Sequence, residues 1–312
     1  MGNWDFIDKY GVLMAAALLV AVLFAVRLKL QTSPARLSAE DWTIGDDGYE
    51  EYQEYEEYQE DEEYQSRPAS EVIIGNAQTI GRRQEQDDYF ASAATRVGTM
   101  AVIADGISGL KNGRMSSTLA VTTFSREFLK VEDLRELPEY FDKAALVSNR
   151  AILEQLGGEN GGTTLVVAVI CGRRLHWGAV GDSMLILFRN GELIPVNSKH
   201  TLETVLEERY LSGEISKEDA LQNPMRNQLI NYLGYGGFKS MEVGEPVYLD
   251  PGDIVILCSD GVMDALTEVE LEEILRLKLP PQETAEKIIE EVEQKSFKHQ
   301  DNATVIILEK RE

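Results

Sequence analysis

The chain has 312 residues, 43% of them hydrophobic, enough for one large core or two modest ones. Its 54 acidic against 30 basic residues give a formal net charge of −24, which disfavours a body that condenses on nucleic acid. With only two cysteines (Cys171, Cys258) and three histidines (His176, His200, His299), a disulfide framework, a Cys-based zinc site and a His-rich metal site are excluded; any metal is held mainly by oxygen, as Mg2+ or Mn2+ is.

Residues 11–26, GVLMAAALLVAVLFAV, form an uncharged apolar run. At ~1.5 Å per residue it spans about 24 Å, short of the ~30 Å hydrocarbon core, and a snorkelling Arg27 lets Leu28 and Leu30 extend it. Asp5, Asp8 and Lys9 precede the run, whereas Arg27, Lys29 and Arg36 follow it. That polarity argues against a cleaved signal peptide and puts the remainder of the chain on the cytoplasmic side. The expectation for residues 1–30 is therefore a short outside tail and a single-pass helix in the cell membrane, touching lipid over residues 11–30. A buried core helix is the weaker alternative, because the run leads directly into a charged, low-complexity segment.

Residues 31–70 read as a disordered linker. Thirteen acidic residues and no basic one lie between Glu40 and Glu63, punctuated by Tyr49, Tyr52, Tyr55 and Tyr58, with Tyr64 just beyond. Such a block cannot bury enough apolar surface to offset the cost of ordering. Its composition favours a self-repelling spacer over a docking or tyrosine-phosphorylation segment.

Residues 71–312 read as one domain. Short β-branched strands are expected at 100–104, 164–171, 175–180, 185–188, 253–258 and 304–308. Helices are expected at 116–130, at 138–156 ending on Gly157-Gly158, at 271–277 after a Thr267–Glu270 capping box, and at 281–294. Strand runs followed by helix pairs predict an α+β fold.

Acidic residues stand at the ends of these apolar strands: Asp87-Asp88, Asp105-Gly106, Asp260-Gly261 and Asp301-Asn302. The strand fixes each carboxylate, and the glycine gives a sharp turn or lets a carbonyl or water come close. Carboxylates massed in this way repel one another unless a cation neutralises them, and a Mg2+ or Mn2+ pair does so with a few carboxylates and many waters.

In this pattern residues 73–308 resemble the bacterial-type, metal-dependent serine/threonine phosphatases of the PPM (protein phosphatase 2C-like) family. The resemblance rests on Arg83 with Gln86-Asp87-Asp88, Asp105-Gly106-Ile107-Ser108-Gly109, Gly162-Thr163-Thr164, Gly181-Asp182-Ser183, Ser259-Asp260-Gly261 and Asp301-Asn302, in that order. It implies two antiparallel sheets packed face to face, each covered by a helix pair, with the metals at one end. By the same resemblance Asp105 bridges two metal ions, the Gly106 carbonyl completes one shell, and Asp260 and Asp301 bind the other ion. Asp87 and Asp88 hold waters or orient ligands, Arg83 clamps the substrate phosphate, and Asp182 with Asp260 forms a weaker third site. Gly109 and Asn302 support these loops. Residues 200–234 resemble a mobile flap beside the site. Met184 and Lys199 depart from the family pattern, which bears on the flap and the third site.

The resemblance further implies phosphorylated Ser/Thr proteins as substrates, an opposing Ser/Thr kinase, and no nucleic acid partner. Two alternatives remain open: an inactive relative that binds phosphoproteins or acts as a scaffold, and a two-metal phosphoesterase for small substrates. An inactive relative usually loses one of Asp87, Asp105, Asp260 and Asp301, and all four are present.

Overall fold

The computed structural model describes residues 72–107 and 112–310. The expected membrane helix, the acidic linker, and Gly109 lie outside the described residues. In chain order the described part opens with β1 (Val72–Thr79), β2 (Asp88–Ala94) and β3 (Thr99–Asp105), then helices α1 (Gly113–Phe128) and α2 (Leu137–Leu156). Strands β4 (Leu165–Cys171), β5 (Arg174–Val180), β6 (Met184–Arg189) and β7 (Glu192–Pro195) follow, then short helices α3 (Leu202–Leu211) and α4 (Lys217–Leu221). After β8 (Glu242–Val243), β9 (Val247–Tyr248) and β10 (Ile254–Cys258) come α5 (Asp260–Ala265), α6 (Glu268–Arg276) and α7 (Pro281–Gln294), and β11 (Ala303–Lys310) closes the fold.

One sheet has the order β1-β11-β10-β6-β7, and the other β2-β3-β4-β5-β8, with β9 also on β5. Every pairing is antiparallel. The inner strands are apolar on both faces because both faces are covered. In β11, Val305 and Ile307 pack with Ile288 and Val292 of α7, while Ile306 and Leu308 point to the core between the sheets. There they meet Ile103, Val166, Leu185 and Leu257. On the other outer face Phe124 and Phe128 of α1 and Phe141 of α2 pack with Met100 and Val102 of β3. Each such side chain, when fully buried, contributes about 1.5–3 kcal/mol. The expected α+β sandwich, two antiparallel sheets with flanking helices, is the fold observed.

Several local signals hold. Gly157 ends α2 with φ +57. The Thr267 hydroxyl accepts from the Glu270 N–H, and the Glu270 side chain accepts from the Thr267 N–H. Helix α7 has the expected bounds. Other expectations are corrected. Helix α1 starts at Gly113, three residues before the expected 116. Asp253 is not in β10; its buried carboxylate instead takes the Arg189 guanidinium at 2.5 Å. Asp260-Gly261 is not a turn, because Asp260 opens helix α5. The second role expected of these glycines, close approach, is what the backbone requires. A Cβ on Gly261 would lie 2.0 Å from the Asn302 carbonyl oxygen, and one on Gly106 would lie 2.5 Å from the Gly113 carbonyl carbon.

Candidate active site

One end of the sandwich collects the acidic residues. Asp88 opens β2 and Asp105 ends β3, and the two are register partners. Asp260 follows β10 by two residues and Asp301 precedes β11 by two. The Gly181-Asp182-Ser183 turn between β5 and β6 brings in Asp182, whose charge is felt by both Asp105 and Asp260.

Asp88 forms the floor and is 2% exposed. Its Oδ2 accepts from the Ser259 hydroxyl at 2.8 Å and the Thr304 hydroxyl at 2.7 Å. Its Oδ1 is buried without a partner. Asp105 is braced by the Gly162-Thr163-Thr164 strand entry. The Asp105 carbonyl accepts from the Thr163 hydroxyl and the Thr164 N–H, each at 2.8 Å, and the Asp105 N–H donates to the Thr164 hydroxyl oxygen at 3.2 Å. Thr164 in turn shares a 2.7 Å hydrogen bond with Ser183, tying the Asp182 turn to the same brace.

Asn302, 2% exposed, braces the opposite side. Its Oδ1 accepts from the Asp87 N–H at 2.8 Å, and its Nδ2 donates to the carbonyls of Ile80 at 2.9 Å and Glu85 at 3.1 Å. The loop carrying Arg83 is thus fixed against the loop carrying Asp301. Arg83, with a side chain 40% exposed, holds the Asp301 carboxylate at 2.5 Å. Asp87 stands beside the start of α1, where it accepts the Arg114 N–H.

The electrostatics follow from burial and crowding. Burial, followed by the charges of Asp88 and Asp260, pushes the Asp105 carboxyl well above the usual carboxylate range. Asp260 is pushed up to about 7 by burial, with Asp182 next among the causes. Asp87, Asp88 and Asp182 are raised as well, in each case chiefly by burial. Such a cluster is a poor place for several bare negative charges and a good one for a cation.

Among the described residues, no three acidic or imidazole side chains already form a closed ligand cage. A hard dication does not need one, since Mg2+ keeps several waters and takes few carboxylates. The donor set is all oxygen, the buried Oδ1 of Asp88 lacks a partner, and the remaining carboxylates stay partly open to solvent. These residues fit Mg2+ or Mn2+.

Four supporting residues were not anticipated in these roles. Asp264, one turn after Asp260 on α5, adds its charge to both Asp182 and Asp260, and the i, i+4 spacing is the signal that reveals it. Ser259 and Thr304 seat Asp88, and no local pattern in the sequence joins them. His200 accepts the Gly181 N–H on Nδ1 at 3.2 Å and faces Glu242 with Nε2 at 3.4 Å, supporting the Asp182 turn from the base of the flap-like segment. That segment folds as α3 and α4, closed at its base by the Ile230 N–H on the His200 carbonyl at 2.9 Å. Lys199 lies close enough to the turn for its charge to oppose the burial-driven rise of the Asp182 pKa.

Comparison with known proteins gives a consistent result. The family model for protein phosphatase 2C matches residues 76–298. A serine/threonine phosphatase stp of Listeria monocytogenes serotype 4b is 33% identical over 219 residues, covering 68% of this chain and 84% of the relative. The serine/threonine phosphatase of S. agalactiae superposes with a TM-score of 0.69 at 23% identity, over 77% of this chain and 100% of that one. The catalytic domain of the phosphatase PstP, in complex with 2 manganese ions, superposes with a TM-score of 0.64 at 26% identity, over 77% of this chain and 99% of that one.

Proposed function

Because the chain belongs to the protein phosphatase 2C family, we propose that it is a metal-dependent phosphoprotein phosphatase that hydrolyses phosphoserine and phosphothreonine. The observation that carries this reading is the convergence of Asp88, Asp105, Asp182 and Asp260 on one cluster whose carboxyls are all raised, with Arg83 and Asp301 paired beside it. Two divalent cations, when bound, would supply a water of lowered pKa and would offset the phosphoryl charge.

The chain's own residues then divide the work. Asp105 would serve both cation positions, the Gly106 carbonyl would complete one shell, and Asp260 and Asp301 would hold the second cation. Asp87 and Asp88 orient water, with Asp88 held rigid by its two hydroxyl donors. Arg83 offers its guanidinium to the substrate phosphate, a geometry suited to bidentate contact. Asp182, together with Asp260, would supply a weaker third position, with the Asp264 charge nearby.

Among the described residues, no cysteine is set up as a covalent nucleophile. Burial pushes the Cys171 thiol up to about 11 and the Cys258 thiol up to about 12, so both are neutral near pH 7. Direct hydrolysis without a phospho-enzyme follows, and trapping such an intermediate would refute it. The retained acidic set speaks against an inactive scaffold. The substrates would be phosphorylated Ser/Thr proteins, and the enzyme would oppose the Ser/Thr kinase that phosphorylates them. Phosphopeptide hydrolysis measured against small phosphoesters separates this reading from that of a small-substrate phosphoesterase.

The domain is further proposed to be anchored by the apolar residues 11–30 in the cell membrane, with the acidic linker as a spacer and the catalytic domain in the cytoplasm. The sequence polarity described above supports this. No helix among the described residues is long and apolar enough to cross a membrane.

A further inference from the structure

Asp301 is claimed twice. It is a proposed cation ligand, yet its Oδ2 already accepts the Arg83 guanidinium at 2.5 Å, and Arg83 is the proposed phosphate clamp. The pairing is built into the backbone. The Arg82 N–H donates to the Gln300 carbonyl at 2.9 Å. Asn302 ties down the Ile80 and Glu85 carbonyls and the Asp87 N–H. Gly81, at φ +63, lies so close to the Asp301 carbonyl that a Cβ there would be 2.2 Å from its oxygen. The two loops therefore hold guanidinium and carboxylate within reach of each other.

We infer that Asp301 holds Arg83 while the site lacks metal and gives it up on turning to the cation, so that Arg83 positions itself for phosphate only in the loaded site. This rests on the two-cation reading above. The Arg83 side chain is 40% exposed and that of Asp301 25%, so the pair is open to water and weak, worth a factor of about two to five. A dication outcompetes it readily. Linkage makes the effect reciprocal: if metal loading frees Arg83 for phosphate, phosphate tightens metal binding by the same factor. Arg83 is thus a competitor for the metal ligand before it is a substrate contact.

The test is equilibrium Mn2+ binding to the full chain, by calorimetry or electron paramagnetic resonance, without substrate and then with inorganic phosphate. Arg83→Ala should bind Mn2+ about two- to fivefold more tightly than wild type in the absence of phosphate. Arg82→Ala removes an equal charge from the exposed neighbouring residue and should leave the affinity unchanged. The factor by which phosphate tightens Mn2+ binding should shrink in Arg83→Ala alone. Equal shifts in the two variants, unchanged or weaker binding in Arg83→Ala, or an undiminished phosphate effect would overturn the latch while leaving the metal reading intact. A wild-type chain that binds no Mn2+ would overturn both.

Discussion

Asp260 shows how one residue's environment becomes a measurable property. Its folded pKa of about 7 stands above the ordinary 3.8. The folded state therefore binds more protons than the unfolded state between about pH 4 and 7, and Asp260 makes the metal-free protein lose stability as pH rises through that window. Asp260→Asn removes this burden. In EDTA the variant should match wild type near pH 4 and exceed it above pH 7, by an amount on the order of a few kcal/mol. Added Mn2+ should then stabilise wild type and leave the variant nearly unmoved; melting curves across pH check both signs. Catalysis should respond at the same scale. Asp105→Ala and Asp260→Ala should each cut turnover more than about a hundredfold with the fold retained by circular dichroism. Arg83→Ala should mainly raise KM, since it removes a ground-state phosphate contact. A large fall in kcat at unchanged KM would contradict that role. The acidic residues themselves were legible in the sequence because they stand in clusters at the ends of apolar strands. Their supports were not. Asp88 is seated by Ser259 and Thr304, and Asp87 by Asn302, residues that only the folded topology brings to it.

At the scale of elements, local chemistry decides ends and tertiary packing decides existence. The capping box at Thr267 and the left-handed Gly157 were readable from their own neighbours. Strand β1 was not, because Gly75, Asn76 and Gln78 dilute its apolar pattern; Gly75 is there to let the start of α7 approach, with the Pro281 carbonyl carbon 2.1 Å from where a Cβ would stand. Helix α5 was hidden for another reason: Asp-Gly is a common turn, and only the packing of Val262 and Ala265 into the core makes it helical here. Two substitutions separate these levels. Thr267→Ala should cost about 0.5–2 kcal/mol in chemical denaturation and leave activity unchanged, because the cap lies outside the proposed site. Asn302→Ala strips partners from three backbone groups, each worth about 1–3 kcal/mol when left unsatisfied. It should lower both stability and Mn2+ affinity, since it frees the loops that carry Asp87 and Asp301. Normal metal affinity in a destabilised Asn302→Ala protein would show that those loops hold without it.

For the whole molecule, the sandwich explains why the acidic residues meet. Antiparallel pairing sets Asp88 opposite Asp105, while β10 and β11, neighbours in the other sheet, deliver Asp260 and Asp301 to the same end. The proposed tether adds a constraint. Were residues 31–70 the flexible linker proposed, their typical span would be roughly 30–40 Å at ~5–6 Å × √n, and an anchored domain would work near the bilayer. Membrane fractions should then retain the protein through carbonate and high salt, and protease outside intact cells should spare the C-terminal domain; its digestion there would reverse the proposed orientation. The most direct test of the central claim is hydrolysis of phosphoserine and phosphothreonine peptides by the purified full chain, first in EDTA and then with Mn2+ restored. Activity should vanish in EDTA and return with Mn2+, while Asp105→Ala stays inactive throughout; turnover that persists in EDTA, or a near-normal Asp105→Ala enzyme, would contradict a metal-dependent phosphatase built on these carboxylates.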